Sequence, residues 1–297
     1  MRLSELVFGR NERILVDEEF DVMGLLPTTT GEKVLSFVTD EKYLPEANNE
    51  RIRCVICKPD MVEKLPTHIS GVVLSDAPII SYFDIHNRYG KKQETYDTVI
   101  GEGCSISPLA SVATQNVRIG NNVVIEEFVS IKEGVTIGDN TIIRAGCVVG
   151  GQGFEFKRMP EGGVLPVEHY GGVIIGNDVE IQQLTNVSRA VYAWDNTIIG
   201  DGTKIDALVH VAHAVKLGKR CFAAAGAMIA GSTVFGDDTW IGVNATISNC
   251  LKVEKSARVS LGSVVTKNVN EGETVTGNFA IPHKVFLDDL KQTLKKA

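Results

Sequence analysis

Residues 196–241 read NTIIGDGTKIDALVHVAHAVKLGKRCFAAAGAMIAGSTVFGDDTWI. Ile199, Ile205, Val211, Leu217, Ala223, Ile229, Phe235 and Ile241 stand six apart in this stretch, and every one is apolar. The beat extends upstream through Ile175, Ile181, Val187 and Ala193, and downstream through Ile247, Val253, Val259 and Val265. An earlier run holds it from Ile119 through Ile125, Ile131, Ile137 and Ile143 to Val149. Helices repeat at 3.6 residues and strands at 2, so a period of six belongs to neither. Together with Gly-Asn and Gly-Asp turns it marks a solenoid of hexapeptides. Three hexapeptides make one triangular coil, and coils stack as parallel strands about 4.8 Å apart. Gly, Asn and Asp suit the left-handed backbone of the corners. We therefore read the chain as mainly β: a left-handed parallel β-helix with an N-terminal α/β domain and a short C-terminal helix.

Residues 1–97 lack the beat and predict mixed strands and helices. Short buried strands are expected at Val34–Val38, Ile52–Cys57 and Gly71–Leu74, a short helix at Arg2–Phe8, and a helix over Asp76–Tyr89 capped by Asp76. The polar tract 90–95 reads as a linker, and the β-helix as residues 98–277. Residues 150–172, GGQGFEFKRMPEGGVLPVEHYGG, interrupt the count and are too polar for a prism interior, so they should loop outward. From residue 278 a tail follows whose Phe286, Leu290 and Leu294 share one helical face.

Composition narrows the partners. The chain has 297 residues and a net charge of −7, which argues against binding a nucleic-acid backbone. No run of about 18 apolar residues predicts a membrane span, and the start lacks a signal-peptide core. Six scattered cysteines suit a reducing, cytoplasmic setting. Cys54 and Cys57 form a CxxC within an expected buried strand, where core packing outweighs a metal or redox role.

Stacking offers a way to read chemistry, because residues 18 apart become neighbours. His213 then has Asp195 one coil below and Gly231 one coil above, within the small-residue run 223–232. A histidine can act as general base, a carboxylate beside it can hold its tautomer, and a glycine N–H can face an oxyanion. A polar column on a solvated solenoid face is the plain alternative. A third reading takes His210 and His213 as metal ligands, as in γ-class carbonic anhydrases, which place histidines on such a β-helix. We expect no bound metal and no cofactor.

Residues 206–218, DALVHVAHAVKLG, and 224–236, AAGAMIAGSTVFG, resemble the central motifs of UDP-3-O-acylglucosamine N-acyltransferases, the third enzyme of lipid A synthesis, whose pattern is D-x-x-x-x-I-A-H-N-V followed by A-G and A-G-S. Residues 150–156, GGQGFEF, resemble that family's loop G-x-D-G-F-G-F, and residues 35–43, LSFVTDEKY, its L-T-F-L-x-N-P-K-Y. The resemblance runs along nearly the whole chain. It implies a homotrimer with sites between subunits, His213 as the base that deprotonates a sugar amine attacking a thioester, and Gly231 at the oxyanion. It also implies Phe37 and Tyr43 as aromatics around a uracil ring, which matches the physics of base stacking. Phe154 of the loop, His210 and Asn249 complete the candidate substrate contacts. The acyl donor would be acyl-CoA or acyl carrier protein, used as co-substrate.

Departures from the family pattern are specific. Cys250 stands where a second histidine often falls, Ala214 replaces an asparagine after the base, Asp40 replaces another in the first domain, and the C-terminal helix is short. Residues 262–284, GSVVTKNVNEGETVTGNFAIPHK, resemble the last coil of CoA-dependent sugar acetyltransferases, with Phe279 in place of a proline.

Overall fold

A computed structural model of the protein describes residues 1–90, 95–277 and 280–294. The centre of the expected linker and Phe279 therefore lie outside the described residues.

From Val99 onward the chain winds into a three-faced prism whose parallel sheets contain nine, eight and eight strands. Inward residues stack in columns: Val211 lies between Val187 and Ile229, and Ile205 between Ile181 and Ala223. The interior is a continuous file of buried Val, Ile, Ala and Leu. Corners adopt positive φ, at Asn122, Asn140, Asp178 and Asn244 but also at Ala214, Ser232 and Cys250. Asparagine and aspartate bond locally in that conformation, whereas a non-glycine residue without such a side chain carries about 1–2 kcal/mol of strain there. The corners hold because each is tied to the coil below, as Ser232 N–H is to the His213 carbonyl (2.9 Å).

Two coils are long. Val149 pairs with Val187 across the 150–172 excursion, and Asn186 pairs with His210, a spacing of 24 rather than 18. The six extra residues fall at 189–194, so Ala193 leaves the inward file that the six-residue count gave it; it is absent from the prism core. The chain leaves the prism between Gly151 and Gly172, which themselves end and begin prism strands, so the excursion is slightly shorter than the expected 150–172. It folds as a hairpin of Phe156–Arg158 on Val164–Pro166.

Residues 1–90 form a five-stranded sheet in the order β1 (Arg13–Val16), β5 (Gly71–Leu74), β4 (Ile52–Cys57), β3 (Val34–Val38), β2 (Val22–Met23). Helix α1 (Leu44–Ala47) precedes β4 and helix α2 (Pro78–Tyr89) follows β5. The start is a single 3₁₀ turn, Leu3–Glu5, not a helix to Phe8. Helix α2 lacks the expected Asp76 cap; Ala77 is its N-cap and donates its backbone N–H to Ser75 Oγ (3.0 Å). Pro78 at the first helical position sets that start instead. Cys54 and Cys57 are free and buried on opposite faces of β4, and burial pushes their thiols up to about 12 and about 11.

The sheet domain docks on the prism through aromatic and polar contacts. Tyr82 Oη meets Tyr192 Oη at 3.2 Å, Trp194 Nε1–H donates to the Met23 carbonyl (2.9 Å), and Asn87 donates to the Pro166 carbonyl (2.7 Å). A helix α3 spans His283–Leu294, with Phe286 exposed. No helix among the described residues is long and apolar enough to cross a membrane.

Candidate active site

The strand His210–Val211 ends at a corner that leads into Lys216–Leu217 on the next face. Val211, Val215 and Leu217 anchor the corner inside the prism, leaving His213 half-buried outside it. One coil above, the Met228–Ile229 strand ends at Gly231. A Cβ on Gly231 would fall 2.5 Å from His213 Cε1 and 2.6 Å from Nε2. Gly231 has no positive φ, so glycine is required here for the imidazole and not for the backbone. Its carbonyl accepts from Cys250 N–H (3.0 Å), while its own N–H has no hydrogen-bond acceptor among the described residues.

The carboxylate next to His213 is not the one the stacking argument selects. Asp195 lies at the end of the extra segment; its carboxylate pairs with Lys216 and accepts from Asn196 N–H (2.8 Å). Glu155, from the excursion, places Oε2 3.5 Å from His213 Nε2. Glu155 is itself paired with Lys157, whose ammonium sits 4.6 Å above the Phe83 ring. Burial holds His213 below the ordinary histidine pKa; Glu155 pulls it back up, and Lys157 adds to the fall. The ring is thus biased to the neutral state that a general base needs. Gly153 lets the excursion pass this close: a Cβ there would lie 2.9 Å from His169 Nε2 and 3.3 Å from His213 Cδ2.

Two openings meet at His213. One, of about 380 Å³, runs toward the sheet domain and is lined by Phe37, Phe83, Trp194, Asp195 and Cys250 among others. The second, of about 490 Å³, climbs the prism past His210, Met228, Gly231, Asn249 and Phe154. Leu25, Glu155, His213, Ser232 and Cys250 belong to both. The structure therefore gathers His213, Gly231, Asp195, Phe37, Phe154, His210 and Asn249 around one cleft. Tyr43 is absent from both linings; the residue is 37% exposed and its ring carries the Lys42 ammonium at 4.9 Å. Phe154 is 88% exposed and touches Phe156. His210 accepts from Asn186 Nδ2 through Nδ1 (3.1 Å). Among the described residues, no three His, Cys, Asp or Glu side chains converge as a metal site.

Sequence reasoning missed Glu155, His169 and Trp194. Glu155 had one visible signal, a charge set inside the glycine-aromatic stretch 150–156. Trp194 had none, because its place depends on the long coil.

The bacterial transferase hexapeptide (six repeats) family matches residues 116–151 and 196–231. A UDP-3-O-acylglucosamine N-acyltransferase from Caulobacter sp. (strain K31) is 39% identical over 161 residues, 54% of this chain and 46% of that protein. One from Helicobacter hepaticus is 28% identical over 291 residues, 86% of this chain and 83% of that protein. The Caulobacter match thus reaches about half the length of its relative. Among solved structures, a UDP-N-acetylglucosamine acyltransferase from Campylobacter jejuni aligns with a TM-score of 0.55 at 25% identity, covering 67% of this chain and 79% of that one. The chain is a left-handed β-helix of hexapeptide repeats that resembles the UDP-3-O-acylglucosamine N-acyltransferases in sequence and a nucleotide-sugar acyltransferase in fold.

Proposed function

We propose that the protein is an N-acyltransferase that moves an acyl group from a thioester donor to the amine of a nucleotide-linked amino sugar. The observation that carries this reading is the pairing of a half-buried, neutral-leaning imidazole with a glycine N–H that has no acceptor, at the junction of two openings. The amine nitrogen attacks the thioester carbonyl carbon while His213 takes its proton. The Gly231 N–H receives the oxyanion. Collapse breaks the carbon–sulfur bond, and the imidazolium returns the proton to the departing thiolate, leaving an amide and a free thiol.

The aromatic-lined opening suits the nucleotide: Phe37, Phe83, Tyr192 and Trp194 all line it. The opening along the prism suits the acyl arm, with Met228, Ile229 and Thr246 on its wall. Phe154, His210 and Asn249 border that second opening, and Tyr43 would have to swing in to reach the first. Asp195, which lines the first opening, pairs with Lys216 rather than with His213. The names of the relatives favour a UDP-3-O-acylglucosamine as acceptor, and the motif resemblance favours a 3-hydroxyacyl chain carried by acyl carrier protein. The CoA-like final coil favours acyl-CoA instead. A homotrimer acting in the cytoplasm fits both readings.

His213→Ala should lower kcat at least about 100-fold, since general-base action contributes about 10²–10⁴, with the thermal midpoint and oligomeric state kept. Near-wild-type turnover would remove the assignment. Acetyl-CoA, longer acyl-CoAs and hydroxyacyl carrier protein, each offered with UDP- and dTDP-amino sugars and read by mass spectrometry, separate the donors.

A further inference from the structure

Two buried ring nitrogens at this site have no hydrogen-bond partner: His213 Nδ1 and His169 Nε2. They belong to rings in contact, with centroids 5.8 Å apart and planes at 77°. His169 is 3% exposed, so bulk solvent does not reach it. Its Nδ1 lies 3.0 Å from the Val167 carbonyl. A carbonyl can only accept, so Nδ1 of His169 carries the hydrogen and Nε2 presents a lone pair. Burial also lowers the pKa of His169 and keeps that lone pair unprotonated.

We propose that His169 is the positioning partner of His213: His169 Nε2 accepts a hydrogen bond from His213 Nδ1–H, which leaves His213 Nε2 free to take the amine proton. A half-turn of the His213 ring about Cβ–Cγ fills the same volume and exchanges Nδ1 with Cδ2. Cδ2 now stands 3.3 Å, and His169 Nε2 2.9 Å, from the Cβ that Gly153 lacks. The half-turn therefore turns a donor toward the side of the orphaned acceptor, and one bond, closed by a small approach of the two rings, satisfies both nitrogens. Gly153 keeps the contact open, since any side chain there would wedge between the rings.

The carboxylates do not fill this role. Asp195 is held by Lys216, and Glu155 is held by Lys157 and faces the ring position that the half-turn gives to Cε1. A neutral imidazole has a further consequence. A carboxylate at Nδ1 would raise the His213 pKa and favour imidazolium, whereas His169 fixes the tautomer without that pull. His169 thus acts through His213 and does not touch the substrate. The inference rests on the reading of His213 as the general base.

The test is the protonation pattern of the rings. The full chain labelled with ¹⁵N-histidine gives long-range ¹H–¹⁵N correlations at neutral pH, and His213→Ala identifies the His213 signals. The wild type should show His213 protonated at Nδ1. His169→Phe keeps the volume but not the acceptor; it should send His213 to the Nε2-protonated form and lower kcat about 10- to 100-fold, the range for removing an outer partner that orients a working histidine. His169→Gln offers an amide oxygen and should retain the wild-type tautomer. A wild-type His213 protonated at Nε2, or a tautomer that His169→Phe leaves unchanged, overturns the proposal. The wild-type spectrum decides the matter even where the phenylalanine variant does not fold. The readout needs no turnover, so a His169-dependent tautomer in a protein inactive with every donor would count against acyl transfer and not against this contact.

Discussion

Gly231→Ala separates catalysis from folding. Gly231 lacks a positive φ, so alanine meets no backbone strain. The three heavy atoms nearest the added methyl all belong to the His213 imidazole, with Cε1 at 2.5 Å. Ordinary contact begins at 3.4 Å, so the ring must retreat by about 0.9 Å. A misplacement of about 1 Å at a reacting centre costs on the order of 100-fold in rate. The methyl also stands beside the Gly231 N–H, the proposed oxyanion donor. We therefore expect kcat to fall about 100-fold or more. The folding cost is that of modest overpacking at a half-open corner, about 1–3 kcal/mol at most. Release of free thiol from the thioester donor gives kcat, and a calorimetric scan gives the thermal midpoint. Turnover near wild type with an intact fold would mean that His213 can move 0.9 Å without consequence, and the assigned geometry would be wrong.

The remaining predictions concern the cleft around that pair. Only neutral His213 accepts the proton, and burial lowers its pKa below 6.5, so kcat should persist to pH values under the usual histidine range. Glu155→Gln removes an attraction that raises this pKa and should move the acid limb to lower pH; Lys157→Met should move it higher. A limb that neither variant moves belongs to another group. Phe37→Ala should raise KM for the sugar nucleotide more than it lowers kcat, because stacking on the ring serves bound substrate and transition state alike. An unchanged KM would take the base out of that opening. Cys250 is exposed and borders both openings, while Cys54, Cys57, Cys147 and Cys221 are buried with raised thiol pKa values. Iodoacetamide should therefore abolish the proposed activity through Cys250, substrate should protect it, and Cys250→Ser should stay active and resist the reagent. Loss of activity in Cys250→Ser would instead point to a covalent acyl intermediate.

The prism was legible because its rule is repetitive and its rungs are buried. The inward residues from Ile119 to Val149 take the three faces in turn and enter one shared interior, so one count predicts many positions. Strands β3, β4 and β5 were read at their observed bounds because all three are apolar and mostly buried. Strand β1 escaped because it lies at the sheet edge with three of its four residues exposed, which erases an apolar signal. Ala193 shows the opposite failure. Its apolar side chain satisfied the six-residue count by coincidence, although the coil there is six residues longer than the rule allows.

The site divides along the same line. Residues one regular coil apart can be paired from spacing alone, so Gly231 above His213 was accessible: His210 does pair with Met228, 18 residues on. Asp195 failed as the orienting group although its spacing is also 18, because spacing places a backbone and not the end of a side chain, and Lys216 claims that carboxylate. Glu155, His169 and Trp194 reach the cleft from segments that leave the prism, and their positions depend on what those segments pack against. The excursion is held by helix α2, through His86 to the Glu168 carbonyl (2.9 Å) and Tyr170 to the Asn87 carbonyl (2.6 Å). Trp194 is held by stacking on Tyr192 and by its bond to Met23. These are contacts between parts of the chain 83 and 171 residues apart, and no periodicity encodes them. The repeat therefore supplies the imidazole and the glycine, while the groups that tune them come from the irregular segments. Substitutions that alter specificity while sparing the fold should accordingly concentrate in residues 150–172 and 189–195 rather than in the regular rungs.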